Sequence, residues 1–251
     1  MKIYSLLLLF TFSYYASSAQ ELEKRHHKIV LDFIQTVKSL NKESLAMKTS
    51  YPLKRQYPIP AIENKQDLIN RYDTLFDDKL VKKIVNSDPA KDWQEAGSRG
   101  IMLLNGIIWL DYDGKLRSIN NQTSAELKFR NDLIKADKDR LNPAVKSFIR
   151  PMVILETSKL LVRIDDLGSG NYRFVSWPVK RSMKDKPSLI LTKGQIIPEG
   201  SGGNHKYVFK NGNLTYECAI INVSESSNSP DALLIISKDG KEISRSEAKT
   251  L

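Results

Sequence analysis

Side chains able to ligate a metal, move a proton or attack a substrate are sparse in this sequence. It holds three histidines, His26, His27 and His205, and a single cysteine, Cys218. One cysteine excludes an internal disulfide and any zinc site built on paired cysteines. His26 and His27 are neighbours in a helical stretch and point about 100° apart, so they cannot clamp one ion as an i, i+4 pair would. Cys218 lies in an alternating segment that puts Leu214, Tyr216, Cys218 and Ile220 on one strand face; it reads as a small core hydrophobe, not a nucleophile. His205 follows Asn204 and would serve as a general base only with a carboxylate to orient it, which no motif supplies.

Asp111-Tyr112-Asp113-Gly114 opens like a calcium loop, but its glycine comes too early and no closing glutamate follows, so it reads as a β-turn. Gly200 to His205 is glycine-rich without the Gly-Lys-Ser/Thr of a phosphate loop, and reads as a hairpin loop. Neither a Gly-x-Ser-x-Gly elbow nor a His-Glu-x-x-His pair occurs. The reading therefore assigns no catalytic residue, no metal site and no cofactor. Its ligand-wall candidates are the aromatic residues Tyr72, Phe76, Trp93 and Trp109. Tyr72 and Phe76 stand four apart on one helical face, and Trp109 ends an apolar strand. The alternative is a periplasmic hydrolase or isomerase drawing acid and base from Asp73, Asp77, Asp111 or His205 in a cone-like pocket.

These residues need elements to position them. Leu22, Ile29, Val30, Phe33, Ile34, Val37 and Leu40 recur at helical spacing between Glu21 and Leu40, and Glu43 to Lys48 reads as a short second helix. Asn64 and Asp77 read as caps of two further helices, the second stopped by Asp88-Pro89. Gly100 to Leu104, Gly106 to Asp111 and Lys115 to Ile119 read as a small antiparallel sheet. Ala125 to Leu141 reads as a charged connecting helix with Leu127, Ile134 and Leu141 on its apolar side. Beyond residue 150 seven alternating segments follow: Lys159 to Ile164, Tyr172 to Trp177, Ser188 to Leu191, Lys206 to Lys210, Leu214 to Val223, Leu233 to Ser237 and Glu242 to Ser246. The expected architecture is α+β: helices with a small antiparallel sheet over residues 20–150, then an all-β sandwich or small barrel over residues 151–251.

Net charge is +10, with 41% apolar and 27% charged residues, values that exclude a disordered chain or a polytopic membrane protein. The positive excess is spread as doublets such as Lys54-Arg55 and Lys82-Lys83 without interleaved aromatics, which argues against a nucleic-acid partner. Lys2, an uncharged run to Tyr15 and Ala16-Ser17-Ser18-Ala19 predict an export signal over residues 1–19, cut before Gln20, leaving no transmembrane segment in the mature chain. The expected protein is an exported, non-catalytic binding or interaction protein, periplasmic or extracellular. Its envelope ligand or protein partner and its oligomeric state stay open.

Tyr51-Pro52-Leu53, Ile62-Glu63-Asn64-Lys65, Arg71-Tyr72-Asp73, Leu75-Phe76-Asp77, Gly100-Ile101-Met102 and Gly106-Ile107-Ile108-Trp109-Leu110 together resemble a group of uncharacterised bacterial secreted proteins. That resemblance implies a nuclear-transport-factor-like α+β cone for the amino-terminal half. Tyr172 to Trp177 and Gly200 to His205 resemble all-β domains of similar exported proteins and imply no particular activity.

Overall fold

A computed structural model describes residues 20–200, 203–224 and 228–251. The expected export signal and Ser201-Gly202 of the glycine-rich loop lie outside the described residues. Contacts divide the chain into two units, Met1–Lys54 with Ala61–Thr123 and Arg55–Pro60 with Ser124–Leu251.

In the first unit, Val30, Phe33, Ile34 and Val37 form the buried face of α1 (His27–Lys38). The next three helices begin where a short polar side chain accepts an otherwise orphaned backbone N–H. Asn41 accepts from Ser44 at α2 (Lys42–Met47), Asn64 from Asp67 at α3 (Lys65–Leu75) and Asp77 from Leu80 at α4 (Asp78–Val85). The antiparallel sheet runs in chain order through β1 (Gln20–Glu21), β2 (Trp93–Glu95), β3 (Ile101–Leu103), β4 (Ile108–Leu110) and β5 (Leu116–Ile119). Trp93, Ile101, Leu103, Ile108, Leu110, Leu116 and Ile119 share one core with the helices. β1 and β2 escape sequence reading because two or three residues are too short to establish a period.

The second unit contains α5 (Ser124–Asp139) and eight strands: β6 (Arg150–Thr157), β7 (Leu160–Gly168), β8 (Asn171–Pro178), β9 (Leu189–Glu199), β10 (Asn204–Asn211), β11 (Leu214–Ile220), β12 (Ala232–Lys238) and β13 (Lys241–Thr250). Each pairs antiparallel with its chain neighbour, and β13 returns to β6, so the alternatives left open by the alternation resolve into a closed up-and-down barrel instead of a sandwich. Strand β9 supplies the stagger that closure requires: Leu189 to Gly194 pair with β8, while Gln195 to Glu199 pair with β10. The changeover falls at Gly194, where a Cβ would lie 2.0 Å from the Phe209 ring. Eight strands enclose a space that side chains can fill, and here Val162, Ile164, Phe174, Tyr207, Phe209, Cys218 and Leu234 pack into one core cluster. Strand β6 was not among the expected segments, because Pro151 and the unbroken Met152-Val153-Ile154-Leu155 run hide its alternation.

The contact division falls between Thr123 and Ser124 and groups α5 and residues 55–60 with the barrel strands. The buried face of α5 agrees with the expected one at Ile134, and Leu141 is buried just beyond the helix, but it differs at Leu127. Glu126, Arg130 and Ile134 are buried, whereas Leu127 is 43% and Phe129 41% exposed. Charged partners on the barrel unit reverse the usual sidedness. Glu126 receives Arg55 Nε at 2.7 Å and Nη2 at 2.5 Å, and Arg130 donates to the Tyr57 carbonyl.

Candidate interaction edge on the barrel

Three of the four aromatic candidates lie together in a packed core and the fourth on the other face of the sheet. Tyr72 and Phe76 stack with ring centroids 5.0 Å apart, and both lie with Trp93 in the closed core of the first unit. Trp109 pairs with Met102 and Ser118 on the opposite sheet face, where the Arg99 guanidinium lies 5.6 Å from its ring. Strand alternation causes this separation: Ile108 and Leu110 face the core, so Trp109 between them cannot.

Each proposed acid or base residue is engaged locally. Asp73 receives Lys42 at 2.8 Å, Asp77 caps α4, and Asp111 receives Arg117 at 3.1 Å. His205 belongs to the barrel unit, its Nδ1 3.0 Å from the Gly203 carbonyl oxygen. Asp111 to Gly114 forms the expected turn, with Gly114 N–H donating to the Asp111 carbonyl. Cys218 is fully buried in the barrel core, and burial pushes its thiol far above the usual range.

Two polar clusters were not visible in the sequence. Near the start of the described chain, His26 Nδ1 meets Glu95 Oε1 at 2.7 Å, and the Glu23 backbone N–H donates to the same oxygen. Burial pushes the Glu95 carboxyl up, but the His26 hydrogen bond, the Glu23 N–H and the charges of His26 and Arg25 together hold it below its ordinary value. This contact fastens the segment that carries β1 to its neighbouring strand β2.

The second cluster fixes α5 to the outer barrel wall. Arg163 donates from Nε to Asp165 at 2.7 Å and from Nη1 and Nη2 to Asp137 at 3.0 and 2.6 Å. Arg173 donates to Asp165 at 2.6 Å and to the Val145 and Ser147 carbonyls. Burial raises the Asp165 carboxyl's pKa against the pull of both guanidiniums, and burial pushes the nearby Tyr57 hydroxyl up to about 12. Every charge here has a protein partner, which makes the layer a structural joint.

The accessible chemistry lies where the barrel closes. Strands β13 and β6 pair through Ala248, Lys249 and Thr250, opposite Thr157, Glu156 and Leu155, with the Leu251 N–H donating to the Ile154 carbonyl just beyond them. Strand β6 then turns away at Ser158, while Lys241 to Glu247 continue with β12 on one side. Ser246 is half-buried and the other six of these residues are exposed, Ile243 at 58%. An antiparallel strand points alternate N–H and C=O groups away from its one partner, so this segment offers an unused ladder, interrupted by a bulge at Ile243 where Ile236 pairs with Ser244 but Ser237 with Glu242. It leads into an open groove of about 810 Å³ lined by Glu156, Ser158, Pro230, Asp231, Arg245 and Lys249, among others. Asp231 holds the groove's shape by accepting from Thr250 N and Oγ1.

The other overhanging edge, Gln195 to Glu199 of β9, carries Pro198, which has no N–H to offer. The β13 overhang has no proline and is the better template. Sequence reading placed a strand at Glu242 to Ser246 but could not see that its second neighbour ends early. Among the described residues no helix is long and apolar enough to cross a membrane, and no group of three His, Cys, Asp or Glu could hold a metal ion. The chain matches no family model, no curated protein and no solved structure.

Proposed function

We propose that this is an exported, non-catalytic interaction protein of the bacterial envelope that takes up an extended polypeptide by strand addition at Lys241 to Glu247. The observation carrying this reading is the one-sided ladder of that segment beside an open groove. Strand addition draws affinity from main-chain hydrogen bonds and specificity from alternate side chains, both of which this edge offers. The local partners of Asp73, Asp77, Asp111 and His205 give no support to the hydrolase or isomerase alternative.

A displayed library of random heptapeptides, panned on the whole protein, tests the proposal. Selected peptides are expected to slow hydrogen exchange at the β13 amides. Neighbouring N–H groups face opposite sides, so of Ser244→Pro and Arg245→Pro one removes an outward donor and leaves the β12 ladder intact. That variant is expected to fold and lose the peptides. Peptides that bind without protecting β13, or that bind both proline variants as well as the wild type, would refute the proposal.

A further inference from the structure

The geometry points to an oxyanion site at one end of the barrel, where Arg130 of α5 and Arg150 of β6 bind a phosphate group between them. It goes beyond the strand-addition reading and does not depend on it. Arg130 is only 9% exposed, and its one hydrogen bond runs from Nε to the Tyr57 carbonyl at 3.1 Å. Among the described residues no carboxylate pairs with it, and both its terminal nitrogens lack a protein partner. The two other buried arginines of this unit are filled. Arg163 places Nε, Nη1 and Nη2 on Asp165 and Asp137, and Arg173 places all three nitrogens on Asp165 and the Ser147 and Val145 carbonyls. A desolvated charge needs a partner of opposite sign. Among the described residues Arg130 is the one buried charge of the barrel unit without such a partner in the protein.

Arg150 supplies the second guanidinium. It stands at the start of β6 opposite Asp166, which stands opposite the core residue Tyr172 at the start of β8, so the three share the barrel's interior face at one end. The Arg150 Nε donates to Asp166 at 2.8 Å, the other Asp166 oxygen accepts from the Gly168 N–H, and the terminal nitrogens of Arg150 are left over. Arg150 and Asp166 cancel in charge, so the positive charge of Arg130 is not balanced. Burial first, and then the charge of Arg150, hold the Arg130 guanidinium below its ordinary value. The two cations therefore lie close enough to repel each other.

Four terminal nitrogens on two planar guanidiniums suit a group with more than two oxygens. A carboxylate is satisfied by one such fork, whereas a phosphate accepts from two. Beside this row Tyr172 and Tyr207 pack edge to face, with ring centroids 5.1 Å apart, inside the barrel core. The rest of a phosphorylated ligand therefore stays outside the barrel, on the side where the Arg150 side chain is 38% exposed.

Thermal unfolding and titration calorimetry of the whole protein with inorganic phosphate, at an ionic strength matched with chloride, test the site. Phosphate should raise the wild-type unfolding temperature where chloride does not. Arg130→Met should bind phosphate about tenfold or more weakly, yet without phosphate it should unfold no earlier than the wild type, because it deletes an unpaired buried charge. Arg130→Lys keeps the charge without the fork and should fall between the two. Lys159→Met, at an exposed turn of the same unit, should bind like the wild type. Flotation with phosphatidylcholine vesicles, with and without phosphatidic acid, separates the sources of the phosphate. Binding to the phosphatidic acid vesicles that Arg130→Met abolishes assigns a lipid headgroup, and binding to inorganic phosphate alone assigns a soluble phosphate.

A wild type that responds to neither phosphate nor phosphatidic acid beyond matched chloride would overturn the site. So would an Arg130→Met protein that binds phosphate as the wild type does, or one that unfolds well below the wild type when phosphate is absent, since Arg130 would then be a structural group satisfied by Tyr57 and solvent.

Discussion

Replacing Arg163 by methionine probes the buried ionic layer under α5. The guanidinium is fully buried and makes one hydrogen bond to Asp165 and two to Asp137. Breaking a buried ion pair by removing one partner costs about 3–5 kcal/mol, because the other charge stays desolvated. The structure points to the lower end. Asp137 keeps 19% of its side chain exposed and can take up water, while Asp165 has no exposure but retains Arg173. A loss of about 3 kcal/mol is expected.

The combined replacement Arg163→Met, Asp165→Leu and Arg173→Met removes the charges together and should cost less than the three single changes summed, since apolar groups can substitute for a whole buried network. Urea unfolding read by hydrogen exchange at β7, β8 and α5 confines the measurement to the barrel unit. In Arg163→Met the α5 amides should lose protection at lower urea than those of β7. A cost below about 1 kcal/mol, or a triple variant as unstable as the sum, would refute the account of α5 as held by paired buried charge.

Four further outcomes are expected. Gly194→Ala forces a methyl group into the Phe209 ring, itself buried beside Phe174, and should destabilise the barrel by about 1–3 kcal/mol in thermal unfolding. Because the folded-state pKa of Glu95 is depressed, its contribution is present above the unfolded carboxylate value near ~4.3 and is lost as pH falls through the lower folded value. The Glu23 amide should therefore lose protection, relative to its intrinsic exchange rate, in acid, and Glu95→Gln should show reduced protection at neutral pH. Trp93→Ala, at 1% exposure, should cost about 3–5 kcal/mol, and Trp109→Ala on the opposite sheet face clearly less, as compared by urea midpoints. Mass spectrometry of the exported protein is expected to find Gln20 as its first residue; retention of Lys2 to Ala19 would end the export proposal.

Features set by neighbours along the chain were legible from the sequence. Asn64 and Asp77 cap α3 and α4 because a short polar side chain before an apolar period satisfies N–H groups only a few residues away. The burial of Cys218 and the turn at Asp111 to Gly114 follow from equally local rules, strand alternation and turn chemistry. Tertiary structure decided whatever depended on a distant partner. The stripe of Glu126, Arg130 and Asp137 reads as solvated until Arg55, the Tyr57 carbonyl and Arg163 are brought against it, because desolvation and pairing belong to both sides of a contact. Trp109 leaves the core through the pairing of β4 within its sheet. Whether eight strands made a sandwich or a barrel depended on the last strand returning to the first, and the free length of β13 on where β6 turns away. Register and closure are relations between segments far apart in sequence, and no periodicity inside either segment encodes them.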